Sequence, residues 1–358
     1  MEIENALKLS YYKEVADVDE KHGIKLVQHT ETGKIYVQKV LNVYDKRVFD
    51  FISNNHVDGV PRIEETIEDN GILYIIEEYI SGDSLSEILN KSGALPENTA
   101  VSYIMQICRI LKPFHSLQPP IINRDIKPSN IIISREGKLF LVDFDSAKEK
   151  NGKSSDTVLI GTVGYAAPEQ YGFTESMPET DIYALGVLLN EMLTGHLPKD
   201  ELCDAPYGNV IEKCTRMDPA ERYSSVDELF ETLEKIENKK EKTIEEEWKS
   251  WLPPGFRSGK LVFVVLAILW YAMMISVSAT LKVENASTNA EILLNRVFAF
   301  ILLFAETLWF GNYRKVWNRF PVSNSEKKAV KVLGIILWAY LLGIAIIFLM
   351  TMIIGVLK

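Results

Sequence analysis

Cysteine is scarce in this chain. There are three, Cys108, Cys203 and Cys214, an odd number at spacings that match no metal site. Neither a disulfide framework nor a zinc centre is expected, and a reducing compartment is the simplest setting. A surplus of positive charge is also missing: 39 Lys and Arg stand against 49 Asp and Glu, a formal net charge of −10. Nucleic-acid partners need clustered cations facing phosphates, so none is expected. The opening stretch, MEIENALKLSYYKEV, is charged and has no apolar h-region, which argues against a cleaved secretory leader there. No internal repeat is visible.

What is present is two unlike halves, ordinary and charged up to about Lys260, strongly apolar after it. About 240 residues of the first kind is enough to bury a core unaided. Three apolar runs follow, at 261–281, 292–310 and 332–357. Each is long enough for a helix to cross a hydrocarbon core of about 30 Å. The first and third carry no charge; the middle one holds Arg296 and Glu306, each near an end. Lys and Arg crowd the segment before the first run (Lys249, Arg257, Lys260) and the loop before the third (Arg314, Lys315, Arg319, Lys327, Lys328, Lys331), while the loop after the first run has only Lys282. The positive-inside rule then puts the N-terminal half and the basic loop in the cytoplasm. Asn285 and Ser287 form a formal glycosylation sequon on the other side, a three-residue match of little weight.

The charged half opens with strand patterns. LVQHTETGKIYVQKVL reads as two strands joined at Glu-Thr-Gly, and GILYIIEEYI as another strand. From Asn98 onward, TAVSYIMQICRILKPFHSL and later DIYALGVLLNEML carry apolar residues at helical spacing. Strands first and helices afterward predict an α+β architecture with two unlike lobes. EKIENKKEKTIEEEWKSW, stopped by Pro253-Pro254-Gly255, reads as a solvated helical spacer.

Two motifs carry chemistry. Asn123-Arg124-Asp125-Ile126-Lys127-Pro128-Ser129-Asn130 is followed by Leu141-Val142-Asp143-Phe144-Asp145. Here the chain resembles the eukaryotic-type serine/threonine protein kinases, in their bacterial branch, over roughly residues 11–236. The resemblance implies a bilobal kinase fold, an antiparallel sheet in the N-lobe and a mainly helical C-lobe, followed by the α-helical membrane region. It implies ATP and Mg²⁺ (or Mn²⁺) as cofactors. Asp125 would accept the proton of a substrate hydroxyl, Lys127 would steady the transferring phosphate, and Asn130 and Asp143 would hold the metal. Lys39 in YVQK resembles the strand lysine that grips the α- and β-phosphates. Glu78 and Ile80 would offer backbone groups to adenine, with Asp83 or Ser84 near the ribose. The stretch from Gly161 to Glu169 resembles the end of an activation segment, with Ser154, Ser155, Thr157 and Thr162 as its hydroxyls. A phosphate on Ser154, Ser155 or Thr157 could pair with Arg124. Asp181 and Arg222 resemble structural residues, the first bracing the catalytic loop and the second pairing with Glu169. Lys127 and Thr162 favour Ser or Thr over Tyr as acceptor.

The pattern also breaks. Where the family has G-x-G-x-x-G the chain reads Asp19 to Leu26 and keeps only Gly23. The helix glutamate that should pair with Lys39 is absent; its place falls on Arg47, with Asp45 and Asp50 nearby. Glu77 points toward the same cleft and is the expected substitute partner and ATP-site residue. Asn123 stands for the usual His, and Asp145 for the glycine after Asp-Phe, at an expected cost in backbone freedom.

The division expected is a kinase domain at 11–236, a charged juxtamembrane linker at 237–260, and transmembrane helices at 261–281, 292–310 and 332–357. The function expected is a multi-pass cell-membrane kinase with a cytoplasmic catalytic domain, acting on Ser or Thr of unidentified proteins. Membrane lipid is a partner, and autophosphorylation would entail self-association. The alternative is a pseudokinase that works as a nucleotide- or partner-binding membrane scaffold.

Overall fold

The computed structural model describes residues 3–19, 23–149, 162–172, 175–282, 288–325 and 327–357. The chain separates into two compact units, Met1–Glu237 and Asn238–Lys358.

The first unit begins with helix α1 (Ile3–Ser10) and a five-stranded sheet built from β1 (Tyr12–Asp19), β2 (Ile24–His29), β3 (Ile35–Leu41), β4 (Ile63–Asp69) and β5 (Ile72–Glu78). Its order is β1-β2-β3-β5-β4, and every neighbouring pair is antiparallel. The β2–β3 hairpin turns at 30–34, closed by His29 N–H donating to Lys34 O at 2.9 Å, where the Glu-Thr-Gly signal predicts a turn. Asn70 and Gly71 connect β4 to β5 with both φ angles positive, 52° and 79°. That twist matches the flanking strands and is the reason Asn-Gly serves hairpins. Between β3 and β4 lies the short helix α2 (Lys46–Asn54), capped by the Asp45 side chain.

Helices dominate the rest of this unit. After β6 (Gly82–Ser84), α3 (Leu85–Ser92) starts on a capping box of Ser84 and Glu87. The long α4 (Glu97–His115) buries Ala100, Val101, Ile104, Ile107, Cys108 and Leu111 along one stripe. β7 (Ile121–Ile122), β8 (Ile131–Ser134), β9 (Leu139–Leu141) and β10 (Lys148–Glu149) form two small sheets, β6-β8-β9 and β10-β7. α5 (Pro178–Thr194) is buried on nearly every side, which suits its run of apolar residues. α6 (Tyr207–Cys214) packs against it, and Gly186 admits the Cys214 side chain where a Cβ would lie 2.3 Å from it. α7 (Val226–Trp251) starts in the first unit and ends in the second. The strands-then-helices architecture is the α+β, two-lobed one expected.

The second unit contains α8 (Leu261–Thr280), α9 (Asn289–Phe310) and α10 (Lys328–Leu357), three helices long and apolar enough to cross a membrane. Helices satisfy every backbone group internally, as a hydrocarbon environment demands. Indole donors tie this unit together: Trp270 Nε1 donates to Thr307 Oγ1 at 3.1 Å, Trp309 Nε1 to Ile335 O at 2.9 Å, and Trp338 Nε1 to Pro321 O at 3.0 Å. Gly334 lets the chain at Val322 and Ser323 cross α10, since a Cβ there would sit 2.6 Å from backbone atoms of both.

Candidate active site

β3 and β5 pair with Lys39 opposite Ile75 and Val37 opposite Glu77. Lys39 and Glu77 are therefore diagonal neighbours on one face of the sheet. Lys39 is 4% exposed, and its ammonium has three carboxylates around it: Glu77 at 3.3 Å, Asp145 at 3.4 Å and Asp143 at 3.8 Å. Burial alone would push the lysine pKa down, but these three acids outweigh it and hold Lys39 firmly charged. Asp145 goes the other way. Burial raises its pKa against the pull of Lys39, and the charges of Asp143 and Glu77 add to the rise, to about 7.

None of the acids on Lys39 comes from α2. That helix has no glutamate, and Arg47, at the expected place, donates to Gln118 O and Pro119 O at 3.1 and 3.2 Å. The loop after Asp143 supplies a partner instead. Sequence reasoning missed Asp145 in this role, although an acid two positions from Asp143 was the available signal. The backbone cost expected at Asp145 is also not there. The left-handed backbone falls on Asp143 itself, φ 71°, and on Arg124, φ 73°, and Asp145 is not among the positive-φ residues.

The segment 123–130 is wired from below by Asp181 on α5. Its buried carboxylate accepts from Asn123 N–H at 2.9 Å and Arg124 N–H at 2.8 Å, and lies 2.8 Å from His115 Nε2. Gln170 Nε2 donates to Arg124 O at 2.8 Å. Asn123 braces the loop as an amide can: Oδ1 accepts from Asp125 N–H at 3.2 Å, and Nδ2 reaches Asp143 O at 3.4 Å. His115 and Gln170 carried no motif signal.

Both oxygens of Asp125 are engaged. Oδ2 receives Lys127 Nζ at 2.7 Å and Asn130 Nδ2 at 3.0 Å, and Oδ1 receives the Thr162 hydroxyl at 2.9 Å. Thr162 Oγ1 in turn accepts from Lys127 Nζ at 2.9 Å, closing a triangle. Val142 N–H donates to Asn130 O at 2.9 Å, so the β8–β9 pairing delivers Asp143 beside Asn130. Phe144 turns inward and stacks on Phe114 with centroids 5.0 Å apart, and Phe51 of α2 meets Phe114 edge-on, also at 5.0 Å.

Glu169 and Arg222 form a buried, bidentate pair at 2.7 and 2.9 Å, supported by the Thr180 hydroxyl on Glu169 at 2.8 Å. Burial opposes the charge on Glu169, yet the hydrogen bonds and charge of Arg222 hold its carboxyl below the usual range. Gly23 has φ 67° at the start of β2. Glu78 N–H donates to Arg62 O at 2.8 Å, and Ile80 is buried two residues on. Ser84 is occupied in capping α3, and Asp83 lies 3.4 Å from Lys91. Ser154, Ser155 and Thr157 lie outside the described residues. A cavity of about 840 Å³ bounded by His56, Arg109 and Lys138 holds none of the residues named for the site.

A family model described as "Protein kinase domain" matches residues 23–250. The chain belongs to the protein kinase family. The chain is similar to a probable serine/threonine-protein kinase of Clostridium perfringens, 30% identical over 220 residues, 54% of this chain and 32% of the relative. Serine/threonine-protein kinase B of Synechocystis sp. is 31% identical over 201 residues, 49% of this chain and 34% of the relative. Serine/threonine-protein kinase PknA of Nostoc sp. is 29% identical over 200 residues, 49% and 35%. The match spans about a third of the length of these curated relatives.

Within the kinase family Mg²⁺ is held by few protein ligands. It takes one or two carboxylates plus substrate phosphates, not an all-protein cage. Among the described residues there is no cluster of three or more His, Cys, Asp or Glu suited to a metal. The hard oxygen donors of Asn130 and Asp143, brought to the ends of neighbouring strands by the Val142 N–H to Asn130 O bond, with Asp143 32% exposed, fit that sparser demand.

Proposed function

We propose that the chain is a membrane-anchored serine/threonine protein kinase that moves the γ-phosphoryl group of ATP to hydroxyls of cytoplasmic proteins. One observation carries the reading. Asp125, Asn130 and Asp143 lie together, linked by Asn130 Nδ2 to Asp125 Oδ2 at 3.0 Å and by Val142 N–H to Asn130 O at 2.9 Å. Phosphoryl transfer asks the protein mainly for positioning and charge stabilisation, and this group has both.

Asp125 takes the proton of the acceptor hydroxyl as its oxygen bonds to the γ-phosphorus. The bond from that phosphorus to the β–γ bridging oxygen breaks, and ADP leaves with the electron pair. Lys127, tied to Asp125 at 2.7 Å, offsets charge on the transferring group. Lys39 grips the α- and β-phosphates, and Glu77 holds Lys39 in the cleft in place of a helix glutamate. The backbones of Glu78 and Ile80 meet adenine, and Gly23 lies under the phosphates. Asn130 and Asp143 would hold Mg²⁺, which would neutralise phosphate charge when bound. The helices α8, α9 and α10 anchor the chain, with the basic loop and the catalytic domain on the cytoplasmic side.

Labelled ATP with the full chain in detergent micelles tests this. Transfer to protein should occur with divalent metal and fall by about 10²–10⁴-fold in Asp125→Ala, the range of general-base loss, and be lost in Asp143→Ala. No transfer from the wild type, with nucleotide still bound, would make the chain a binding scaffold instead.

A further inference from the structure

α9, the segment after it and α10 enclose an apolar cavity of about 490 Å³ lined by Trp309, Tyr313, Phe320, Trp338, Leu342 and Ala345. That is a normal size for a small-molecule site. Its wall between 313 and 320 alternates lining residues with cations. Tyr313, Val316 and Phe320 face the cavity, and Arg314, Lys315 and Arg319 sit between them, exposed. Lys327 and Lys328, exposed, and Lys331, with its ammonium 5.8 Å from the Trp317 ring, begin α10 on the same loop. None of these six cations forms an ion pair among the described residues. The acid nearest in sequence on α9, Glu306, faces Gly343.

A further cation packs on the same segment. Arg257 lies over the Tyr313 ring at 5.2 Å and donates through Nη1 to Gly311 O and Asn312 O at 3.1 and 3.3 Å. Its other terminal nitrogen, Nη2, is buried and has no hydrogen-bond partner.

We propose that this cavity is a binding site for part of an anionic phospholipid, an acyl chain against the aromatic wall and the phosphate among the exposed Arg314, Lys315 and Arg319. The inference rests on the membrane reading above. Apolar walls, indole and phenol rings at headgroup level, and cations on the cytoplasmic side are together the complement of a lipid of the inner leaflet. A zwitterionic lipid fills the apolar part equally well but offers no net charge to the rim.

The test uses the full chain in neutral micelles titrated with phosphatidylglycerol or phosphatidylcholine bearing brominated acyl chains, read by quenching of tryptophan fluorescence. Wild type should prefer the anionic lipid by on the order of fivefold or more, the worth of one interfacial cation. The triple variant Arg314→Gln, Lys315→Gln, Arg319→Gln, exposed and folded by circular dichroism, should lose the preference. Ala345→Phe, which puts a ring into the cavity, should weaken it with the cations intact. Equal quenching by both lipids in the wild type overturns the site. So does a preference that survives Ala345→Phe undiminished, since the attraction would then be diffuse. Release of the chain from native membranes by alkaline carbonate would instead defeat the anchoring itself.

Discussion

Lys39 Nζ and Asp145 Oδ1 lie 3.4 Å apart although 106 positions separate them in sequence. Asp145 and Glu77 flank the same ammonium, one from the loop after Asp143 and one from the sheet. The two carboxylates have different consequences for a triphosphate that arrives with its own negative charge.

Asp145 crowds the place where phosphates bind, so Asp145→Asn should lower the KM for ATP, by about fivefold if one screened like-charge contact is relieved. Glu77 sits on β5, beside the β3 strand that carries Lys39, so Glu77→Gln should reduce kcat/KM by about tenfold, softened by the remaining acids. Steady-state kinetics with varied ATP separates the two. Equal, same-direction effects would mean that the carboxylates merely share a charge.

Thr162 joins the two sides of the reaction centre, donating to Asp125 and accepting from Lys127. Thr162→Ala should cut kcat by about tenfold with little change in KM for ATP, and Thr162→Ser should restore most of it. A variant that acts only on KM would place Thr162 outside the chemistry.

Arg222 is buried with Glu169, and taking away the guanidinium leaves a lone carboxylate inside the protein. Arg222→Ala should cost about 3–5 kcal/mol, seen as a fall of roughly 10 °C in the thermal midpoint. Adding Glu169→Gln should recover part of the loss. If the double variant were the less stable, the buried charge would not be the cause.

Glu228 at the start of α7 accepts from Lys213 Nζ and from the backbone and hydroxyl of Ser224 at 2.8–2.9 Å, and its pKa falls from 4.5 to about 2. The folded value lies below the unfolded one. Its contribution to stability is therefore complete above about pH 4.5 and fades as pH falls toward 2. Glu228→Gln should be less stable than wild type at pH 7, with the gap closing steadily on acidification. A gap constant from pH 7 to 3 would contradict the linkage.

Much was legible in the sequence because it is local. The hairpin at 30–34, the helical spacing of α4 and α5, and the apolar length of α8, α9 and α10 follow from residue periodicity and turn chemistry, which neighbours in the chain settle among themselves. The motif residues Asp125, Lys127, Asn130 and Asp143 were recognisable because their spacing is short and fixed. Tertiary structure decided what those residues touch. That Asp145 rather than any acid of α2 joins Lys39, that His115 and Gln170 brace the 123–130 loop, and that Trp309, Phe320 and Trp338 line one cavity all depend on which distant segments meet. Such pairings cost chain entropy across long separations and leave no periodic trace, so only the folded packing discloses them.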